Sequence, residues 1–204
     1  MGLPYVHMPA HLHIKKLAPK FDLAKLVEDL NSLRLEVPFH PLSNQICLNH
    51  RPGVKNPFYD GNGSLKSNND FISESEFNIF NTAMRGTYLQ FVYNSVWDFL
   101  KISPGRTRLM RLGAKNCLSA HKDVGFRFHI ALVTNAQSFM VFENSPFFHI
   151  PSDSHLYWTN TVEFHSAING HHEAERIHLV FAEDASSKMP EPDRARFLND
   201  LFIA

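Results

Sequence analysis

The chain has 204 residues, 44% of them apolar and 12% aromatic, so it can bury a core and global disorder is excluded. Lys and Arg (20) balance Asp and Glu (20), which argues against a general electrostatic nucleic-acid binder, and no apolar run approaches the roughly 20 residues that span a bilayer. Two cysteines beside 13 histidines favour a reducing, cytoplasmic compartment and nitrogen and oxygen ligands for any metal.

The N-terminal half, residues 1–103, is expected to be a helical elaboration with one long loop. Leucines spaced three and four residues apart predict a helix over residues 20–34, which Asp22 can cap. The Asn-, Gly- and Pro-rich stretch that follows, up to about residue 75, indicates a loop. Its part around residues 50–70 is either a substrate-closing segment or a solvated loop without a role. A second helix is predicted from about residue 75 to residue 101, broken near Gly86.

The pattern changes after Pro104, where short β-rich runs alternate with turn clusters as far as residue 184. Such spacing is typical of an antiparallel sandwich or barrel. Apolar residues near the end predict a final helix over residues 185–204. Trp158 and Cys117 are expected to pack in the core. Without a convincing linker, the chain is expected to be a single domain over residues 1–204.

The β-rich half contains three side chains suited to one metal ion. His121 and Asp123 flank one residue, so an extended backbone would point both side chains to the same face. His165 follows near the end of another β-run. Two histidines and one carboxylate with open positions are typical of the ferrous centres of oxygenases. A second triplet, His171–Glu173, lies in a turn-like segment and is interpreted as a solvated loop.

Arginines near these residues suggest an acidic ligand. Arg176 opens the β-run after His165, and its guanidinium could bind a carboxylate in bidentate fashion. An ordinary ion pair is the alternative, with its acid among Glu163, Glu175 and Asp184. Arg127 and His129 occupy alternate positions of one run and therefore share a face. Because buried positive charge is costly, these residues require either a carboxylate ligand or internal acids.

Residues 106–184 resemble the aspartyl/asparaginyl β-hydroxylase family of 2-oxoglutarate- and Fe(II)-dependent oxygenases, and are also similar to bacterial L-proline cis-hydroxylases. The resemblance rests on four segments in the family's order: RLGAKNCLSAHKD (111–123), RFHIAL (127–132), HSAING (165–170) and RIHLVFAED (176–184). It implies a mainly β fold with flanking helices, whose double-stranded β-helix (a cupin-like jelly roll) spans residues 104–184. A serine that grips the cosubstrate in some members falls near Met110, which cannot replace it.

The resemblance also implies the roles of the site residues. His121, Asp123 and His165 would be the catalytic metal ligands for Fe(II), while Arg176, Arg127 and His129 would bind the cosubstrate 2-oxoglutarate. Dioxygen would be consumed, succinate and CO2 released, and ascorbate is a candidate reductant.

The implied reaction is hydroxylation of an amino acid, a small amino-acid derivative or an Asp or Asn side chain of a protein. No nucleic-acid or membrane partner is expected, and the oligomeric state is left open. The main alternative is a non-catalytic cupin-like sensor that binds metal and carboxylate. A zinc-dependent hydrolase is a weaker one, because it leaves the arginines unexplained.

Overall fold

The computed structural model describes residues 13–65, 72–102, 104–143 and 145–184. The final helix predicted over residues 185–204 lies outside the described residues. The helices and strands have the following bounds: β1 Ile14–Lys20, α1 Leu23–Glu36, β2 Gln45–Cys47, β3 Asn49–His50, β4 Ile79–Phe80, α2 Tyr88–Leu100, β5 Pro104–Leu112, β6 Asn116–Cys117, β7 Arg127–Val133, β8 Ser138–Phe142, β9 Phe147–Phe148, β10 His155–Thr159, β11 His165–Asn169 and β12 Arg176–Glu183. Two short 3-10 helices span Glu74–Glu76 and Thr82–Met84.

Strands β5 to β12 form a series of nested antiparallel pairs. β5 pairs with β12, β6 with β11, β7 with β10, and β8 with β9. The nested hairpin is rolled up so that its strands alternate between a six-stranded sheet, β1-β10-β7-β12-β5-β2, and a four-stranded sheet, β6-β11-β8-β9. This topology is a double-stranded β-helix, which confirms the predicted fold class.

The large sheet separates two apolar layers. Its outer face packs against α1 and α2, whose buried residues include Leu26, Leu30 and Val96. Its inner face meets the small sheet around Met140 and Phe142. Polar and charged side chains of β5, β7 and β12 occupy the same inner face, so they project into the space between the sheets.

The first predicted helix is confirmed. Asp22 has extended backbone angles, and its side chain accepts a hydrogen bond from the Lys25 backbone N–H at 3.2 Å. However, β1 just before it was not predicted, and it pairs with β10 at the edge of the large sheet. Strands β2 and β3 likewise lie in the segment predicted to be a loop, and β2 extends the other edge by pairing with β5.

The second helix was predicted to begin too early. Its first half, from residue 75 to Gly86, forms β4 and the two 3-10 helices instead. Gly86 has a φ of 79°, outside the helical region, and the Thr87 side chain caps the N-terminus of α2. Two aromatic residues of α2, Phe91 and Phe99, are 55% and 41% exposed, so apolar spacing alone does not define its buried face.

Two further details differ from the sequence interpretation. Cys117 is exposed, because β6 is a two-residue strand in which both residues face solvent, so its predicted packing was wrong. His165 begins β11 rather than ending a strand, since residues 161–164 form a turn. The prediction that Trp158 is core is confirmed at 3% exposure. None of the helices in the described residues is both long and apolar enough to cross a membrane.

Candidate active site

The three predicted ligands meet at one end of the β-roll. His121 and His165 face each other across an isolated antiparallel bridge, in which each backbone N–H donates to the other carbonyl at 3.0 Å. Asp123 is held beside them by a hydrogen bond from its backbone N–H to the Thr161 carbonyl at 2.8 Å. The ligating atoms of the three side chains lie within 4.8 Å of one another. No other such group occurs in the described ranges.

Both imidazoles present the nitrogen that a metal requires. Nδ1 of His121 lies 2.8 Å from the Ser119 carbonyl, and Nδ1 of His165 lies 3.0 Å from the Glu163 carbonyl. Because a carbonyl can only accept, each Nδ1 carries the proton and each Nε2 keeps its lone pair. Burial also lowers the pKa of His165, which favours its neutral form. The donor set therefore fits a divalent metal with open coordination positions.

The carboxylate lies between the two imidazoles. Oδ1 of Asp123 is 3.9 Å from Nε2 of His121, and Oδ2 is 3.8 Å from Nε2 of His165. Burial increases across the site, from 41% side-chain exposure for His121 to 22% for Asp123 and 5% for His165. One side of the triad is thus open, and the other lies against the protein interior.

Arg176 lies buried at the start of β12 without an acidic partner among the described residues. Its Nη2 donates to Nδ1 of His178 at 3.0 Å and lies 3.6 Å from the Met140 sulfur. The acids considered as its partners contact other residues: Glu175 contacts Arg34, Glu163 lies 3.8 Å from Lys122, and Asp184 accepts from the Ser73 hydroxyl at 3.2 Å. Burial lowers the pKa of Arg176 to about 10, so it remains charged at neutral pH. Such a cation suits an anionic ligand.

His129 and His178 stand beside this arginine on the inner face. Burial, followed by the charge of Arg176, lowers both pKa values well below 6.5, so both rings are neutral. Nδ1 of His178 accepts from Arg176, and therefore Nδ1 of His129, 3.4 Å away, is the donor in that pair. Nε2 of His129 is then a buried acceptor without a partner among the described residues.

Arg127, in contrast, has internal acids. Its Nε is 3.2 Å from Oδ2 of Asp123, and its Nη2 is 3.6 Å from Oε1 of Glu74. Its Nη1 donates to the carbonyls of Gly125 and Phe126 at 3.1 and 3.0 Å. Of the two explanations that the sequence left open for Arg127, the structure favours internal acids.

Arg108 is a buried cation that sequence analysis missed. Its Nη1 donates to Oε1 of Gln45 at 3.0 Å, and its Nε has no partner among the described residues. Burial, with the neighbouring charge of Arg106, lowers its pKa to about 9. The alternation R-T-R-L-M-R-L could have revealed it, because Arg106, Arg108 and Met110 must share one face of β5.

These groups open into one cavity of about 450 Å³ between the two sheets. Its lining includes the triad, Met110, four arginines (Arg106, Arg108, Arg127 and Arg176) and the loop residues Gly63, Ser64 and Leu65. The volume is in the usual range of small-molecule sites. The triplet His171–Glu173 lies outside it in a solvated turn, as predicted, with side-chain exposures of 67% for His172 and 82% for Glu173.

The chain has no match among protein-family models and none among curated proteins. Among solved structures it is similar to an oxidoreductase of the 2OG-Fe(II) oxygenase family from Burkholderia pseudomallei, with 13% identity, a TM-score of 0.48 and coverage of 85% of this chain and 86% of that one. It is also similar to AviO1 from Streptomyces viridochromogenes Tue57, with 12% identity, a TM-score of 0.46 and coverage of 87% and 92%.

Proposed function

We propose that this protein is a 2-oxoglutarate- and Fe(II)-dependent dioxygenase that hydroxylates an amino acid, a small amino-acid derivative or an Asp or Asn side chain of a protein. One observation carries the proposal. A two-histidine, one-carboxylate triad opens into the same cavity as Arg176, a buried arginine that has no acidic partner in the described part of the chain. The first fits ferrous iron, and the second fits a carboxylate of a dicarboxylic cosubstrate.

The side chains divide the work. His121, Asp123 and His165 would hold Fe(II) through two Nε2 atoms and one carboxylate oxygen, which leaves positions for ligands on the cavity side. Arg176 would bind the distal carboxylate of 2-oxoglutarate, with His178 fixing the guanidinium from behind. When bound, Fe(II) with 2-oxoglutarate and O2 supplies the oxidising power to hydroxylate a C–H bond, with succinate and CO2 as coproducts.

The substrate would lie on the side of the cavity that Arg108 lines. Arg108 lines the same cavity, and its Nε has no hydrogen-bond partner within the residues that the structure describes, so it can donate to a second carboxylate. A free amino acid, an N-substituted amino acid and an Asp side chain each carry that group. Gly63, Ser64 and Leu65 bring the long loop to this wall, which supports its proposed role in enclosing the substrate.

The test is substrate-dependent succinate formation by the anaerobically loaded protein after O2 is admitted, with ascorbate present. A panel of amino acids, N-acyl amino acids and Asp- or Asn-containing peptides should include compounds that stimulate it. His121→Ala should abolish succinate formation, because one metal ligand is lost. Arg108→Met should raise the KM for the substrate while the binding of 2-oxoglutarate stays unchanged.

The rival functions give different results in the same experiments. A sensor would bind Fe(II) and 2-oxoglutarate but form no succinate with any substrate of the panel. A hydrolase would hold zinc firmly, and its activity would not depend on 2-oxoglutarate. Binding of 2-oxoglutarate that is unchanged in Arg176→Met would contradict the assignment of this arginine.

A further inference from the structure

A series of charged contacts connects the loop that carries Gly61 and Gly63 with the carboxylate of Asp123. Arg106 donates through Nε and Nη2 to the two oxygens of Glu74, at 2.9 and 2.8 Å. Glu74 in turn lies 3.6 Å from Nη2 of Arg127, whose Nε lies 3.2 Å from Oδ2 of Asp123. Arg106, Glu74 and Arg127 are all buried, so solvent screens these contacts little.

Arg106, the first residue of this series of contacts, is held in place by backbone carbonyls of the loop. Nη1 of Arg106 donates to the carbonyls of Gly61 and Gly63, at 2.5 and 2.9 Å. Gly61 has a φ of 76°, and a Cβ at this position would collide with the Phe77 ring and with Arg106 itself. The position of Glu74 is thereby set by the local structure, independently of any metal.

Arg127 links the position of Glu74 to that of the Asp123 carboxylate. Every edge of its guanidinium is engaged, with Nη1 on two backbone carbonyls, Nη2 toward Glu74 and Nε toward Asp123. Because the guanidinium is planar and rigid, its contacts with the backbone and Glu74 determine where Nε points. Oδ2 of Asp123 faces this nitrogen, and Oδ1 remains on the side of His121.

Charge gives Glu74 a second effect on the same carboxylate. Three buried arginines, 106, 108 and 127, lie in this part of the cavity, and all of their charges act on Glu74. Without Glu74, less of this positive charge would be balanced, and the uncompensated cations would oppose a divalent metal at the triad. Glu74 therefore reduces the positive potential that an incoming metal meets.

We propose that Glu74 is a positioning residue for the metal site: it holds Arg127 against Asp123 and offsets its charge, and so increases the affinity of the triad for a divalent metal. The inference rests on the proposed function only in requiring that the triad binds a metal. Glu74 contacts Arg127, which is the partner of Asp123, but Glu74 itself touches none of the three ligands.

The test is a titration of the metal-free full-length protein with Co(II), followed by the visible absorption of the bound ion. Glu74→Gln should weaken Co(II) binding about 10-fold, which is the low end of the loss expected when a partner of a metal ligand is removed. Glu74→Asp keeps the charge on a shorter side chain, so its affinity for Co(II) should lie between those of wild type and Glu74→Gln. Glu76→Gln removes an exposed acid of the same 3-10 helix and should leave the affinity unchanged.

A double-mutant cycle separates positioning from general destabilisation. In an Arg127→Met background, Glu74→Gln should change the affinity for Co(II) much less, because the connecting arginine is absent and only the charge effect through Arg106 and Arg108 remains. An equal loss in both backgrounds, or no loss in Glu74→Gln alone, would overturn the proposal. If Glu74→Gln does not fold, Glu74→Asp enters the same cycle and is judged in the same way.

The outcome is distinguishable from failure of the proposed function. His121→Ala tests whether Co(II) binds at the triad at all, and equal binding by wild type and His121→Ala would reject that site. A protein that binds Co(II) at the triad but does not turn over 2-oxoglutarate leaves the role of Glu74 intact.

Discussion

The buried arginines on the inner face of the large sheet differ in how their charge is balanced: Arg106 and Arg127 form a balanced group, and Arg176 is unbalanced. Arg106 and Arg127 share the carboxylate of Glu74, and Arg127 also contacts Asp123. Arg176 has only the neutral ring of His178 and a methionine sulfur beside it among the described residues. Since an unbalanced buried charge is costly, we expect Arg106 and Arg127 to stabilise the folded protein, whereas Arg176 is the one proposed to bind an anionic ligand.

The largest expected effect is on the balanced group. Arg106→Met leaves Glu74 buried without its bidentate partner, and the free energy of unfolding should fall by about 3–5 kcal/mol in urea denaturation at pH 7. Arg85→Met makes the same substitution at an exposed site and should change the free energy little. A loss below about 1 kcal/mol in Arg106→Met would show that Glu74 is not held as the structure indicates.

Acid should disrupt the same group. Burial alone would raise the pKa of Glu74, but hydrogen bonds and charge from Arg106, with the charge of Arg127, bring it to about 2, compared with 4.5 ordinarily. Because the unfolded chain then binds this proton first, the stabilisation is complete above about pH 4.5 and is lost as pH falls toward 2. The linked loss is about 3 kcal/mol.

Glu74→Gln isolates this contribution from that of other carboxyl groups. The variant should be less stable than wild type at pH 7, and the difference should shrink as urea denaturation is repeated at successively lower pH. A difference that stays constant between pH 5 and pH 2 would mean that Glu74 does not titrate in this range.

The unbalanced group should respond in the opposite way. Arg176→Met removes a charge that no acid of the described ranges balances, so the stability of the ligand-free protein should stay the same or rise. Its affinity for 2-oxoglutarate, measured by calorimetry in the presence of Fe(II) without O2, should fall about 100-fold. A marked loss of ligand-free stability would instead place Arg176 with the balanced group.

The smallest effect concerns the neutral histidines beside Arg176. Burial holds the pKa values of His129 and His178 well below 6.5, so the unfolded chain binds protons that the folded protein refuses as pH falls below that value. Stability should therefore decrease from pH 7 to pH 5, by a few degrees in Tm. His178→Gln should show a smaller decrease in the same melting experiment, and an unchanged slope would argue against a neutral His178.

The sequence predicted the parts of the site that repeat at short range. Side-chain alternation placed Arg127 with His129, and spacing together with the resemblance brought His121, Asp123 and His165 into one group. Glu74 could not be predicted in the same way, since it reaches its arginines across a long segment of chain and no local pattern marks it. Its neighbourhood was even assigned to a helix: the break near Gly86 was predicted, but apolar spacing did not show that the residues before it form β4 and two 3-10 helices.

The fold shows the same limit. The β-rich character of residues 104–184 was recognised from its apolar, β-branched and aromatic runs, although the exposed β6 and the start of β11 were not. In contrast, β1 has one buried residue among seven and no clear alternation. Its pairing with β10 is a tertiary event at the sheet edge, which local propensity does not record.

The backbone bridge between His121 and His165 also has a consequence for the protein without metal. The two reciprocal hydrogen bonds already hold these residues opposite each other, so the separation of the imidazoles does not depend on an ion. Binding of a metal would therefore require only rotation of the side chains, because the two strands are already paired. The backbone amide protons of both histidines should exchange slowly with solvent even in the metal-free protein. The β-roll therefore fixes the backbone of both proposed ligands before any metal binds.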